Sequence, residues 1–98
     1  MPRTLALLIF PDFQLLDAAG PSGAFEAAND CVPGSYQVDI LSRDGGLVTS
    51  SGGARLLSAP LSVAAPPDTL LIAGGTGVDL AAKCPQTLAW VKQQAALA

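Results

Sequence analysis

The sequence predicts an α/β fold: a mainly parallel sheet with layers packed on both faces. Two continuously apolar runs, residues 5–10 and 70–73, carry no polar residue at either alternating position, which is the pattern of strands buried on both sides. Helix punctuation lies between and after them, with Pro21 and Pro85 each placed to open a helix. A third observation locates the functional edge. The second run opens into Gly74, Gly75, Thr76 and Gly77, and the carboxyl ends of the strands are where open α/β sheets bind ligands. Glycines there let the backbone turn sharply and bring its N–H groups close to a bound group, because no Cβ intervenes.

Bulk composition narrows the classes. Ninety-eight residues allow one domain at most, with a modest core. Half of the residues are hydrophobic and 13% charged, a globular composition far from disorder. There is no histidine, which removes the commonest general base and metal ligand; no metal or cofactor site is expected. Arg3, Arg43, Arg55, Lys83 and Lys92 are scattered singly and form no basic stripe, so direct contact with nucleic acid by this segment is not expected. Cys31 and Cys84 have neither metal-ligand spacing nor a secretory context and read as free, packed thiols. Arg3 before an apolar run imitates a signal peptide. The run is too short, and Pro11, Asp12 and Gln14 follow it. No stretch approaches a membrane span, and the expected address is the cytoplasm.

In order, residues 5–10 form a doubly buried strand that Pro11 stops. An irregular turn with Phe13, Leu15 and Leu16 leads to Asp17. Gly20 and Pro21 then mark the start of a helix to about Asn29, with Ala24, Phe25 and Ala28 inward. In residues 36–42, Tyr36, Val38 and Ile40 alternate with Gln37 and Asp39, as in an edge strand with one wet face. Residues 47–50 and 54–57 around Ser51, Gly52 and Gly53 read as a small β-hairpin. Pro60, Pro66 and Pro67 fill a linker. Residues 78–82 form a helical turn, and Pro85 opens a last helix with Leu88, Val91 and Ala95 on one face.

Joined by crossovers, the three main strands fit the order 36–42, 5–10, 70–73. The first strand is then central, and chain direction reverses between it and the 70–73 strand. Asp17 and Gly75 consequently face one crevice. The 70–73 strand, read as central by its pattern, lacks a neighbour on its far side, so the chain reads as half of a larger sheet.

The strings LIFPDFQLLDAAGP (residues 8–21), YQVDILSRDGG and DTLLIAGGTG resemble the PfpI-type class I glutamine-amidotransferase-like superfamily, and in particular the amino-terminal domain of AraC-family transcriptional regulators of that type. Isocyanide hydratase is a near relative of these. The resemblance implies a flavodoxin-like three-layer sandwich, of which residues 1–98 are a partial domain with a small hairpin insertion, usually dimeric. It also implies a ligand pocket made by Asp17, Gly74, Gly75 and Thr76. Asp17 matches an acidic position whose carboxyl group approaches the thiol of a nucleophile elbow; Gly75 and Thr76 match a turn whose N–H groups act in an oxyanion-hole manner. The nucleophile would lie beyond Ala98, so no catalytic residue is assigned here. Asp12 departs from the small residue, often glycine, expected between Pro11 and Phe13.

Each reading has a plainer counterpart. Asp17 can be a carboxylate accepting backbone N–H groups at a helix start, and the glycines a tight turn. Cys84, next to a helix start that lowers a thiol's pKa, lacks a base and reads as incidental. Trp90 reads as a packing anchor. The preferred function is a non-catalytic, ligand-sensing and dimerising domain of a bacterial AraC-type regulator, with a small-molecule ligand and a second copy as partners. The alternative is a fragment of a PfpI-type enzyme such as an isocyanide hydratase.

Overall fold

The amino-terminal apolar run becomes the centre of the sheet. In the computed structural model, which describes residues 3–63 and 66–97, strand β1 (Arg3–Leu8) is followed by helix α1 (Leu15–Cys31), β2 (Tyr36–Ser42), β3 (Gly46–Thr49) and β4 (Arg55–Pro60). A 3-10 turn (Leu61–Val63), β5 (Thr69–Ile72), α2 (Val78–Ala82) and α3 (Pro85–Leu97) complete the order. The strands lie β3-β4-β2-β1-β5. β1 runs parallel to β2 on one side, with Leu5 opposite Val38, and parallel to β5 on the other, with Leu5 opposite Thr69.

Burial on both faces of β1 explains its unbroken apolar sequence. Leu5, Ala6, Leu7, Leu8 and Ile9 are all at most 2% exposed. Successive side chains point to opposite faces. Ala6 and Leu8 pack with Leu41 and Leu61, against Trp90 and Val91 of α3, as expected for Trp90 as an anchor. Leu5 and Leu7 point to the opposite face. At its end α1 is fastened to β2: the Asn29 side chain donates to the Tyr36 carbonyl and accepts from the Tyr36 N–H, at 2.9 and 2.8 Å. Phe25 meets the Tyr36 ring edge-to-face at 4.7 Å.

Several expectations need correction. α1 begins at Leu15, six residues before Pro21, which lies inside the helix. Gly20 makes this tolerable: the α conformation is disfavoured before proline by a clash that involves Cβ, and glycine has none. The start is fixed instead by Gln14 N–H donating to the Gly74 carbonyl at 2.8 Å and Asp17 N–H to the Gln14 carbonyl at 3.0 Å. Ala24 is exposed, Phe25 and Ala28 are half-buried, and Ala18 is the buried residue of α1.

β2 is not an edge strand. Its last two residues pair with β4, Leu41 with Ala59 and Ser42 with Pro60, so the hairpin of β3 and β4 joins the main sheet. Within the hairpin the register is Leu47 opposite Leu57 and Val48 opposite Leu56. β5, central by its pattern, pairs only with β1 among the described residues, and Ile72 is 51% exposed. In α3 the inward face is Thr87, Trp90, Val91 and Gln94, while Leu88 and Ala95 are exposed. Residues 64 and 65 of the expected linker lie outside the described residues.

Candidate functional site

Two segments meet at the carboxyl ends of β1 and β5: the turn Pro11 to Gln14, and the glycine turn Gly74 to Gly77. Phe13 fixes the first. Its side chain is fully buried, packed with Ile9, Phe10, Ala18, Val48 and Ala73. Hydrogen bonds to the hairpin hold the backbone on either side, Asp12 N–H to the Thr49 carbonyl at 2.9 Å and Ser51 N–H to the Phe13 carbonyl at 3.0 Å. Asp12 has φ +64°, the left-handed region that favours glycine, with Asn and Asp the usual exceptions. The residue that departs from the expected small one therefore stands where a Cβ is least welcome.

The glycine turn is pressed against that segment. Gly75 has φ +124°, and a Cβ there would lie 2.6 Å from the Gln14 nitrogen. Gly77 N–H donates to the Asp12 carbonyl at 3.2 Å. The Thr76 hydroxyl donates to the same oxygen at 3.4 Å.

Asp17, in the first turn of α1, accepts the Gly74 N–H on Oδ2 at 2.8 Å. A carboxylate at that end of a helix is also favoured by the helix dipole. Asp17 and the glycine turn thus occupy one place, as the strand order predicts. Among the described residues the N–H groups of Gly75 and Thr76 donate to no protein acceptor. Asp17 and Thr76 are exposed, and Gly74 and Gly75 half-buried.

A cavity lies beside this crevice. A space of about 470 Å³ sits between the hairpin, the ends of β1 and β2, and the α2–α3 corner; of the glycine turn only Gly77 lines it. Cys84 and Thr87 form part of its wall with Arg43. Arg43 Nη1 is 3.8 Å from Cys84 Sγ, while its Nε and Nη2 bond Asp44 Oδ2 at 2.9 and 2.8 Å. Cys84 immediately precedes α3. Hydrogen bonds from the Thr87 side chain and backbone, with a smaller contribution from Arg43, lower its thiol pKa to about 7. Both cysteines are free, as expected, but neither is packed: Cys31 is exposed and Cys84 half-buried, and Cys84 is less inert than its sequence context implied. With Cys31 replaced by serine, alkylation of the native protein by iodoacetamide should reach half its limiting rate near pH 7, because the thiolate is the nucleophile. Thr87→Val should move that midpoint up; an unchanged midpoint in Thr87→Val would refute the assigned cause.

Arg43 lies in the YQVDILSRDGG string, but Cys84 and Thr87 share no motif with it, and sequence reasoning did not group the three. Among the described residues no cluster of His, Cys, Asp and Glu is suited to hold a metal, and no helix is long and apolar enough to cross a membrane.

No family model matches the chain, and no curated protein matches it either. Solved structures do. An AraC family transcriptional regulator from Pseudomonas putida superposes with a TM-score of 0.68 at 24% identity, covering 76% of this chain and 41% of the regulator. A ThiJ/PfpI family protein from Pseudomonas syringae gives 0.80 at 24% identity, with 92% of this chain and 36% of that one covered. A DJ-1 superfamily protein from Salmonella typhimurium gives 0.80 at 22% identity, with 97% and 51% covered. The chain spans about half or less of the length of each. Together with the mostly parallel sheet and the strand order around β1, these likenesses show that the chain has the flavodoxin-like α/β fold of the DJ-1/ThiJ/PfpI proteins.

Proposed function

We propose that the chain is part of a ligand-sensing and dimerising domain of an AraC-type transcriptional regulator. It acts in the cytoplasm and binds a small metabolite without chemical change at the crevice of Asp17, Gly74, Gly75 and Thr76. The observation that carries this reading is the 2.8 Å bond from Gly74 N–H to Asp17. It joins a carboxylate and a strand-end glycine turn at the point where the order of strands reverses, the usual ligand position in open α/β sheets. The likeness to a regulator of that family supports the assignment of role. Binding that favours one arrangement of a dimer over another would bias attached DNA-binding domains. The edge of β5 that is unpaired among the described residues, and its exposed Ile72, offer surface for association.

The test is a thermal-shift and NMR screen of small organic acids, amino acids and sugars against the wild type and Asp17→Asn. The asparagine carbonyl keeps an acceptor for Gly74 N–H, so the fold should persist with a loss of no more than about 1 kcal/mol. A ligand of the crevice should lose about tenfold or more in affinity with the charge-assisted contact. Ligands that bind both proteins equally would remove Asp17 from the pocket. A monodisperse monomer at high concentration by light scattering would contradict the dimerising part.

A second reading rests on the Gly75 and Thr76 N–H groups, which have no protein acceptor among the described residues. Such donors suit an oxyanion, as in a PfpI-type enzyme such as an isocyanide hydratase whose nucleophilic cysteine lies beyond Ala98. The gene's reading frame decides between them: a basic helix-turn-helix region supports the regulator, a stop after a second half-domain the enzyme.

A further inference from the structure

The cavity on the hairpin side falls within the usual range of small-molecule sites, which are mostly apolar with a few placed polar groups. Ile9, Phe10 and Val48 are buried and form its apolar lining, and Leu80 and Ala81 of α2 close one wall. Arg43 supplies the cation. Two of its nitrogens share one oxygen of Asp44, and Nη1 has only the sulfur of Cys84 at 3.8 Å, a weak acceptor below about pH 7 where the thiol is protonated. The edge made by Nη1 and Nη2 therefore retains N–H donors, and a guanidinium edge matches a carboxylate with two parallel hydrogen bonds. Asp44 competes weakly, since its pair with Arg43 is solvent-exposed on both sides and such pairs hold little net energy.

We propose that this cavity is a second binding site, separate from the Asp17 crevice, for a small monocarboxylic acid with an apolar body. The carboxylate lies on the Nη1 edge of Arg43 and the body lies against Ile9, Phe10 and Leu80. Gly77 is common to both regions: it lines the cavity and donates to Asp12 on the turn that borders the crevice.

The test is titration of the ¹⁵N-labelled chain with 3-phenylpropionate and with its uncharged amide. The acid should give saturable shifts at the amides of Ile9, Phe10, Leu80 and Ala81, and the carboxamide should bind about tenfold more weakly. Arg43→Gln should cost the acid a similar factor, and Asp44→Asn should strengthen it severalfold by removing the competing carboxylate. Both side chains are exposed, so neither change endangers the fold. Asp17→Asn should leave the affinity unchanged. Absence of saturable shifts, equal binding of acid and amide, or indifference to Arg43→Gln overturns the proposal, as does an equal loss in Asp17→Asn.

Discussion

Gly77→Ala is expected to destabilise the protein by about 3 kcal/mol or more, at the upper end of what overpacking costs. A Cβ at Gly77 would overlap the Pro11 carbonyl oxygen and sit 3.1 Å from its carbon. These are backbone atoms and cannot rotate aside. Relief requires moving either the Pro11 to Gln14 turn, which β1 and the hairpin hold, or the start of α2. Moving Gly77 also weakens its bond to the Asp12 carbonyl and the bond from Ala81 N–H to its own carbonyl at 3.0 Å. Urea unfolding monitored by Trp90 fluorescence measures the change. Gly23→Ala is the control: its Cβ would meet nothing within 4 Å, in the middle of α1, and should stabilise by about 0.5–1 kcal/mol. If both variants shift the midpoint alike, steric exclusion at Gly77 is not what holds the two turns together.

The contrast between these glycines also marks what the sequence could convey. A strand covered on both faces is apolar without interruption, so residues 5–10 announced β1 and its place beside β5. The glycine turn was legible for a related reason: a chain that must pass against another backbone has few residue types to choose from. At α1 the punctuation does not coincide with the boundary. Gly20 and Pro21 have the composition of a helix start, but the tertiary bond of Gln14 to Gly74 and the local bond of Asp17 set the start earlier. β2 read as an edge because its first five residues alternate between apolar and polar, and its pairing with β4 covers only Leu41 and Ser42. In α3, Thr87 and Gln94 face inward, and polar residues on the buried face of a helix leave no apolar period to follow. The meeting of Asp17 with the glycine turn was reachable from strand order and from family resemblance. The cavity with Arg43 and Cys84 was not, since it gathers residues 41 positions apart that carry no shared motif.

Phe13→Ala is expected to cost about 3–5 kcal/mol, the range for deleting a buried aromatic side chain. Phe13 lies in no regular element, yet it is 0% exposed and heads the largest fully buried side chains. Its neighbours come from the ends of β1 and β5, from α1 and from β3, so the void left by alanine would be lined by four elements that cannot close on it together. A domain of this size has only about 5–15 kcal/mol of stability in total, and the variant should be largely unfolded in modest urea. Phe13→Leu, which refills most of the volume, should recover a large part of the loss, whereas Phe25→Ala removes a half-buried ring from one contact with Tyr36 and should cost less. The comparison tests position as well as burial. Asp12 and Gln14, which touch the glycine turn, flank Phe13, so in Phe13→Leu the amide resonances of Gly74, Gly75 and Gly77 should shift while those of α3 stay. Unchanged glycine resonances would mean that the hairpin bonds of Asp12 and Ser51 suffice to place the turn, and that Phe13 supports the core without shaping the crevice.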